Sequence, residues 1–213
     1  MLVKADNQPI DSRFGEAVWI TDYITPCNPD VMLKYQELTK GLYRTEDIAT
    51  ALWEYVANFP YKETIAARLV AGGKSFYQPD TWFYPAETIK IKKSNCANRA
   101  FLLASLLKNH LPDPGDVYAV VGNVSLDGIG AHAWVQVNLK DRSYIIETTQ
   151  PDLPSVFIPA YSSGIYLPAV YFDESSVYTV SKIVRVAEVF NARFGLCAVH
   201  FLHNYLCDKC LSL

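Results

Sequence analysis

Cys96 opens the stretch Ser94-Asn95-Cys96-Ala97-Asn98-Arg99-Ala100, and the apolar run behind it is periodic. Ala100, Phe101, Ala104 and Leu107 recur at the spacing of a helix with one buried face, and Ser94 and Asn95 are both good N-cap residues. That pattern predicts a thiol in the first turn of a core helix. Unsatisfied backbone N–H groups and the positive end of the helix dipole favour an anion there, and the thiolate is the nucleophilic form of cysteine. Gly130 to Leu139 then alternates, with Ala131, Ala133, Val135, Val137 and Leu139 on one face and His132, Trp134 and Gln136 on the other. After the turn-like Lys140-Asp141-Arg142-Ser143 comes Tyr144-Ile145-Ile146-Glu147-Thr148-Thr149, rich in β-formers. A thiol, an imidazole and a carboxylate in this order are the parts of a nucleophile, its base and the group that orients the base. A buried structural cysteine is the plainer reading of Cys96 taken alone.

Together these segments resemble the transglutaminase-like cysteine hydrolase superfamily, which shares its architecture with papain-type proteases. The usual pattern reads roughly W-x-x-P-x-E-T, then G-D-C-x-D-K-A, then H-A-W-V-x-V, then D-P-T. This chain has Trp82, Pro85, Glu87 and Thr88 at the first, Ser94 to Ala100 at the second, His132 to Val137 at the third and Glu147-Thr148-Thr149 at the fourth. It departs from the pattern in four ways. Ser94-Asn95 stands for Gly-Asp, Asn98 for an acid, Glu147 for Asp and Thr148 for Pro. The resemblance spans about residues 80 to 150 and implies that Cys96, His132 and Glu147 form the triad. It also implies that Trp82 lies where related enzymes help hold the oxyanion, with Trp134 at the cleft.

The register offers a second carboxylate. A two-residue turn at Asp141-Arg142 would set Glu147 opposite Gln136 and residue 151 opposite His132. Four residues of offset amount to ~13 Å, too far for a hydrogen bond, so Asp152 is the alternative orienting group unless the second strand slips or bulges.

The elements that must position these groups follow from punctuation and patterning. The first thirty residues read as irregular, broken by Pro9, Pro26 and Pro29. Helices are expected from Asp30 to about Lys40, ended by Gly41, and from Glu46 to Asn58, capped by Thr45 and stopped by Pro60. Ala71 to Lys74 reads as a loop and Gln78 to Pro85 as an irregular segment whose aromatics either anchor a buried loop or wall a cleft. Val117 to Val124 reads as the strand neighbouring that of His132, and Ala169–Phe172 with Val177–Val180 as a hairpin. The segment order favours an α+β, papain- and transglutaminase-like fold, with N-terminal helices and the nucleophile helix packed on an antiparallel sheet. Residues 1–213 are expected to form a single domain, with a C-terminal helical extension over about 181–213.

Composition narrows the partners. The chain has 213 residues, half of them apolar and 13% aromatic, enough for a proper core. With 22 acids against 19 bases, and no basic cluster beyond Lys90 to Lys93, nucleic acid is not an expected partner. No stretch reaches the ~18 apolar residues of a membrane span, and Met1 to Pro9 has no apolar targeting core, so a cytoplasmic location is expected. Five cysteines, an odd number, argue for reduced thiols. Cys197, His200, His203, Cys207 and Cys210 include zinc-ligand types, but ligands every three residues on one helix diverge, and a core helix with a terminal C-x-x-C is the expectation. The predicted chemistry requires neither metal nor organic cofactor. A protein or peptide is the expected substrate, cleaved at an amide bond, and a scaffold with a vestigial triad is the alternative.

Overall fold

A computed structural model of the chain describes residues 2–7, 9–13, 16–62, 66–70, 74–78, 81–113, 115–125, 129–140, 142–150, 155–160 and 165–180. Asp152, the Cys197 to Cys210 cluster and the expected C-terminal helices lie outside the described residues.

Among the described residues, four α-helices precede the strands from residue 117 onward. In α1 (Pro29–Thr39), Asn28 caps the start, its side chain accepting the Asp30 N–H at 3.0 Å, and Gly41 follows the end at φ +81°. Helix α2 (Thr45–Ala57) buries Ile48, Leu52, Trp53 and Val56. Helix α3 (Pro85–Ile91) was not evident from periodicity, being too short to show it. Its start is fixed by the Glu87 carboxylate, which reaches back to the Tyr84 N–H at 2.8 Å. Helix α4 (Cys96–Leu107) is buried from Ala97 to Leu107, on every face rather than on one. It lies between the sheet and the other helices, touching α1, α2 and α3 on one side and two central strands on the other.

The main sheet is antiparallel, in the order β1 (Leu2–Ala5), β11 (Val177–Val180), β10 (Tyr166–Phe172), β6 (Val117–Ser125), β7 (Ile129–Leu139), β8 (Arg142–Ile146), β9 (Ile158–Pro159). Two small hairpins stand apart, β2 (Pro9–Arg13) with β3 (Glu16–Trp19) and β4 (Ala66–Val70) with β5 (Lys74–Gln78). The N-terminal segment is therefore more regular than its prolines indicated, because β1 takes its order from pairing with β11 and not from a pattern of its own. The face of β7 expected to be polar is also covered. Trp134 joins Tyr118, Val120, Ile145, Tyr166 and Tyr171 in a second apolar cluster, on the side of the sheet away from α4.

The β7–β8 connection corrects the expected register. Leu139 pairs with Arg142, and Lys140, directly after Leu139, lies at φ +56°. Shifting a two-residue turn by one position moves every cross-strand partner by two. Val135 pairs with Ile146, the last pair of the ladder, so the same register carried one step on would set Glu147 beside Trp134, two residues from His132 instead of four. The pairs of this ladder run without a bulge, and β8 ends at Ile146, immediately before Glu147.

Candidate active site

The start of α4 is built from side chains that tie it to its surroundings. Asn95 caps it, accepting the Asn98 N–H at 2.9 Å. Cys96 is the first helical residue and is partly buried. Its own N–H, one of the first four of the helix, has no acceptor within the helix. Asn98 turns away from the thiol: its Oδ1 accepts the Phe83 N–H at 2.7 Å and its Nδ2 donates to the Thr81 carbonyl at 3.4 Å. That explains an amide where the family pattern has an acid, since a carboxylate has no N–H to offer Thr81. The 81–84 segment is thereby fastened to α4, and Trp82 packs edge-on against Phe101 (5.0 Å between centroids) and Tyr23 (5.5 Å). Of the two readings of the aromatic run, the structure shows the anchor. It leaves Trp82 beside the helix start and half-buried.

His132 stands between Cys96 and Glu147. Its Nε2 lies 2.7 Å from Glu147 Oε2, and the Cys96 thiol is near enough to act on the protonation of the ring. With Nε2 engaged by the carboxylate, Nδ1 is the nitrogen left for sulfur. Diagonal neighbours on adjacent strands are about 7–8 Å apart at Cα, a gap that the long glutamate side chain spans. Trp134 stacks along His132 at 6.3 Å between centroids and 26° between planes. Gly122, opposite His132 on β6, leaves the room for that indole: a Cβ there would stand 2.8 Å from the Trp134 ring and 2.3 Å from the Leu167 carbonyl oxygen.

The Glu147 side chain is 1% exposed, yet both its oxygens are satisfied. Oε1 accepts the Thr149 N–H and the Thr149 hydroxyl, each at 2.7 Å. Oε2 accepts the Tyr166 hydroxyl at 2.9 Å besides the imidazole. Its backbone carbonyl takes the Trp53 indole N–H at 2.6 Å. Burial alone would raise the Glu147 pKa, but the hydrogen bond and charge of His132, with the two Thr149 donors, outweigh it and hold the carboxyl below its ordinary value. For His132, burial would lower the pKa. Hydrogen bonds to Cys96 and Glu147 and the charges of both outweigh that and lift it to about 10. The ring is accordingly held toward its protonated form beside the Glu147 carboxylate.

Arg99, one turn into α4, is 2% exposed. Its Nε donates to Ser94 Oγ at 3.2 Å, one terminal nitrogen donates to the Thr148 carbonyl at 2.6 Å and the other to the Phe59 carbonyl. Tyr166, Thr149 and Arg99 take parts in the site that residue type and spacing alone do not signal. Tyr166 carries no motif, whereas Thr149 and Arg99 stand at motif positions whose part in the site the motif does not state.

No family model matches the sequence, and no curated protein matches it. Among solved structures, Legionella pneumophila LapG (EGTA-treated) superposes with a TM-score of 0.54 at 14% identity, over 83% of this chain and 87% of that one. A second structure of Legionella pneumophila LapG gives a TM-score of 0.52 at 15% identity, over 75% of this chain and 83% of that one. The likeness is one of fold, and the fold is of the transglutaminase-like, papain type.

Proposed function

We propose that the chain is a cysteine-dependent hydrolase of amide bonds, a peptidase or amidase acting on a protein or peptide. The observation that carries this reading is the His132 ring, which meets a buried carboxylate at 2.7 Å and stands beside a thiol at a helix start. The cysteine-protease-like fold supports it.

In this reading the Cys96 thiolate attacks the scissile carbonyl carbon, forming the C–S bond as the carbonyl π pair moves to oxygen. The Cys96 N–H, with Trp82, receives that oxyanion. His132 then gives its proton to the leaving nitrogen as the C–N bond breaks, and a thioester remains on Cys96. Water, deprotonated by the now neutral imidazole, attacks the thioester, and the thiolate–imidazolium pair is restored as the acid departs. An amine in place of that water would give transamidation. Glu147 keeps Nε2 protonated throughout, so that Nδ1 carries the exchanged proton.

The test is chemical and needs no known substrate. Iodoacetamide at pH 6, followed by mass spectrometry of the Cys96 peptide, should label wild-type protein stoichiometrically, while exposed Cys27 reacts slowly. The His132→Ala variant should lose that low-pH labelling. A peptide library scored for cleavage and for amine incorporation should show turnover that Cys96→Ala lowers at least about a thousandfold. Low-pH labelling that persists in His132→Ala would sink the reading.

A further inference from the structure

The carboxylate of Glu147 is held by more than the group it is meant to orient. A glutamate has one more rotatable bond than the aspartate of the family pattern, so its carboxylate sweeps a wider arc and needs more tethering to stay at one point. Thr149 fixes Oε1 from within the same strand-end turn, with N–H and hydroxyl both at 2.7 Å. Oε2, the oxygen that meets His132, receives its second donor from Tyr166 on β10, two strands away from β7 across the sheet.

Tyr166 can span that distance because the intervening surface is shaped for it. It is a buried residue whose ring packs edge-on against Trp134, with centroids 5.1 Å apart, and Trp134 in turn stacks along His132. Gly122 on β6, between β10 and β7, has no side chain to block the indole.

We propose that Tyr166 is a positioning residue for the reaction, acting through Glu147: its hydroxyl pins Oε2 at the imidazole and shares that oxygen's charge with it. This rests on the reading of Cys96, His132 and Glu147 as the reacting constellation. The phenol is a fit donor for the task, because burial, and after it the Glu147 charge, push its pKa up and keep its proton in place. The titratable groups around the carboxylate are His132 on β7, Cys96 and Arg99 on α4, and Tyr166 itself. Tyr118, Tyr171 and Tyr178 lie further along the same sheet face. The hydroxyl directs the positive end of its dipole at Oε2. Without it Oε2 is free to swing away from the imidazole, the imidazolium loses part of its partner, and forming the thiolate that depends on it becomes harder.

The experiment compares wild-type chain with Tyr166→Phe, which keeps the ring against Trp134. Iodoacetamide alkylation of Cys96 is followed by mass spectrometry from pH 4.5 to 9, with thermal melting alongside. The expected result is an alkylation midpoint about 0.5–1 pH unit higher in the variant, which is about a three- to tenfold lower rate at pH 6. Coincident profiles, with or without a lower melting temperature, would show that Tyr166 only packs and would overturn the proposal. If Tyr166→Phe does not fold, 3-fluorotyrosine at position 166 replaces it. That residue keeps the shape and strengthens the donor, so the midpoint should move down, and an unmoved midpoint overturns the proposal as surely. Wild-type protein that shows no low-pH alkylation at all overturns the catalytic reading itself, whatever the variant does.

Discussion

At the scale of single residues, the site is a chain of groups each of which fixes the state of the next. Glu147 sits in a buried place where a lone carboxylate would be costly, and it stays ionised because the imidazolium and three further donors outweigh desolvation. The same contact raises His132 and lowers Glu147, so it is one interaction seen from two sides. Its consequence for stability has a definite sign. A carboxyl whose folded pKa is depressed contributes stability that is present above its unfolded value of ~4.3 and is lost as pH falls through the folded value. A histidine whose folded pKa is raised to about 10 contributes stability fully present below its unfolded value of 6.5 and lost as pH rises toward about 10. Both contributions are complete only between about pH 4.5 and 6.5. Thermal melting of the wild-type chain should therefore peak in that window and decline steadily from pH 6.5 to 10. In His132→Gln the alkaline decline should flatten, and an identical slope in the two proteins would place the pH dependence elsewhere.

At the scale of elements, what could be seen in the sequence and what could not divide along one physical line. The α4 start, the alternation of β7 and the β10–β11 hairpin were legible because each is written in local spacing. The register that delivers Glu147 was not, because it depends on a turn whose key residue carries no turn signature. Lys140 sits at φ +56°, a conformation that glycine and asparagine favour and a lysine adopts at a cost. Nothing in Lys140-Asp141-Arg142-Ser143 marks which pair forms the corner, and the reading one residue late placed the carboxylate one full strand repeat too far. The same logic gives a test of the turn. Lys140→Gly should stabilise the chain by about 0.5–1 kcal/mol in urea unfolding, since it relieves the positive φ without touching a buried contact, and should leave Cys96 alkylation unchanged. A loss of stability would mean that the lysine side chain holds the turn by a contact of its own. Helix α3 was missed for a related reason: seven residues hold too few turns to display a period, and its start depends on a capping carboxylate.

At the scale of the whole molecule, the site depends on one buried cation to hold its parts in a common frame. Arg99 joins three pieces of chain that meet nowhere else in sequence: the Phe59 carbonyl beyond α2, Ser94 before α4, and the Thr148 carbonyl beside Glu147. The Tyr61 ring covers the guanidinium, whose carbon is 5.4 Å from the ring centroid. Burial pushes the guanidinium pKa down, against the pull of Tyr61, Glu147 and Cys96, but an arginine starts high enough to keep its charge. The family pattern has lysine at this place, and the exchange is informative. An ammonium has three donors on one atom, whereas these three acceptors lie in different directions and suit a flat fork. Arg99→Lys should therefore leave at least one buried carbonyl without a donor and lower stability by about 2–4 kcal/mol in urea unfolding. It should also slow turnover, because the Thr148 carbonyl is what tethers the Glu147 turn to the nucleophile helix. The two effects are separable. Below the unfolding transition, a merely structural Arg99 would leave the pH midpoint of Cys96 alkylation where it is. A frame that aligns Glu147 with His132 predicts a midpoint displaced in fully folded Arg99→Lys protein, and an unmoved midpoint would confine Arg99 to stability alone.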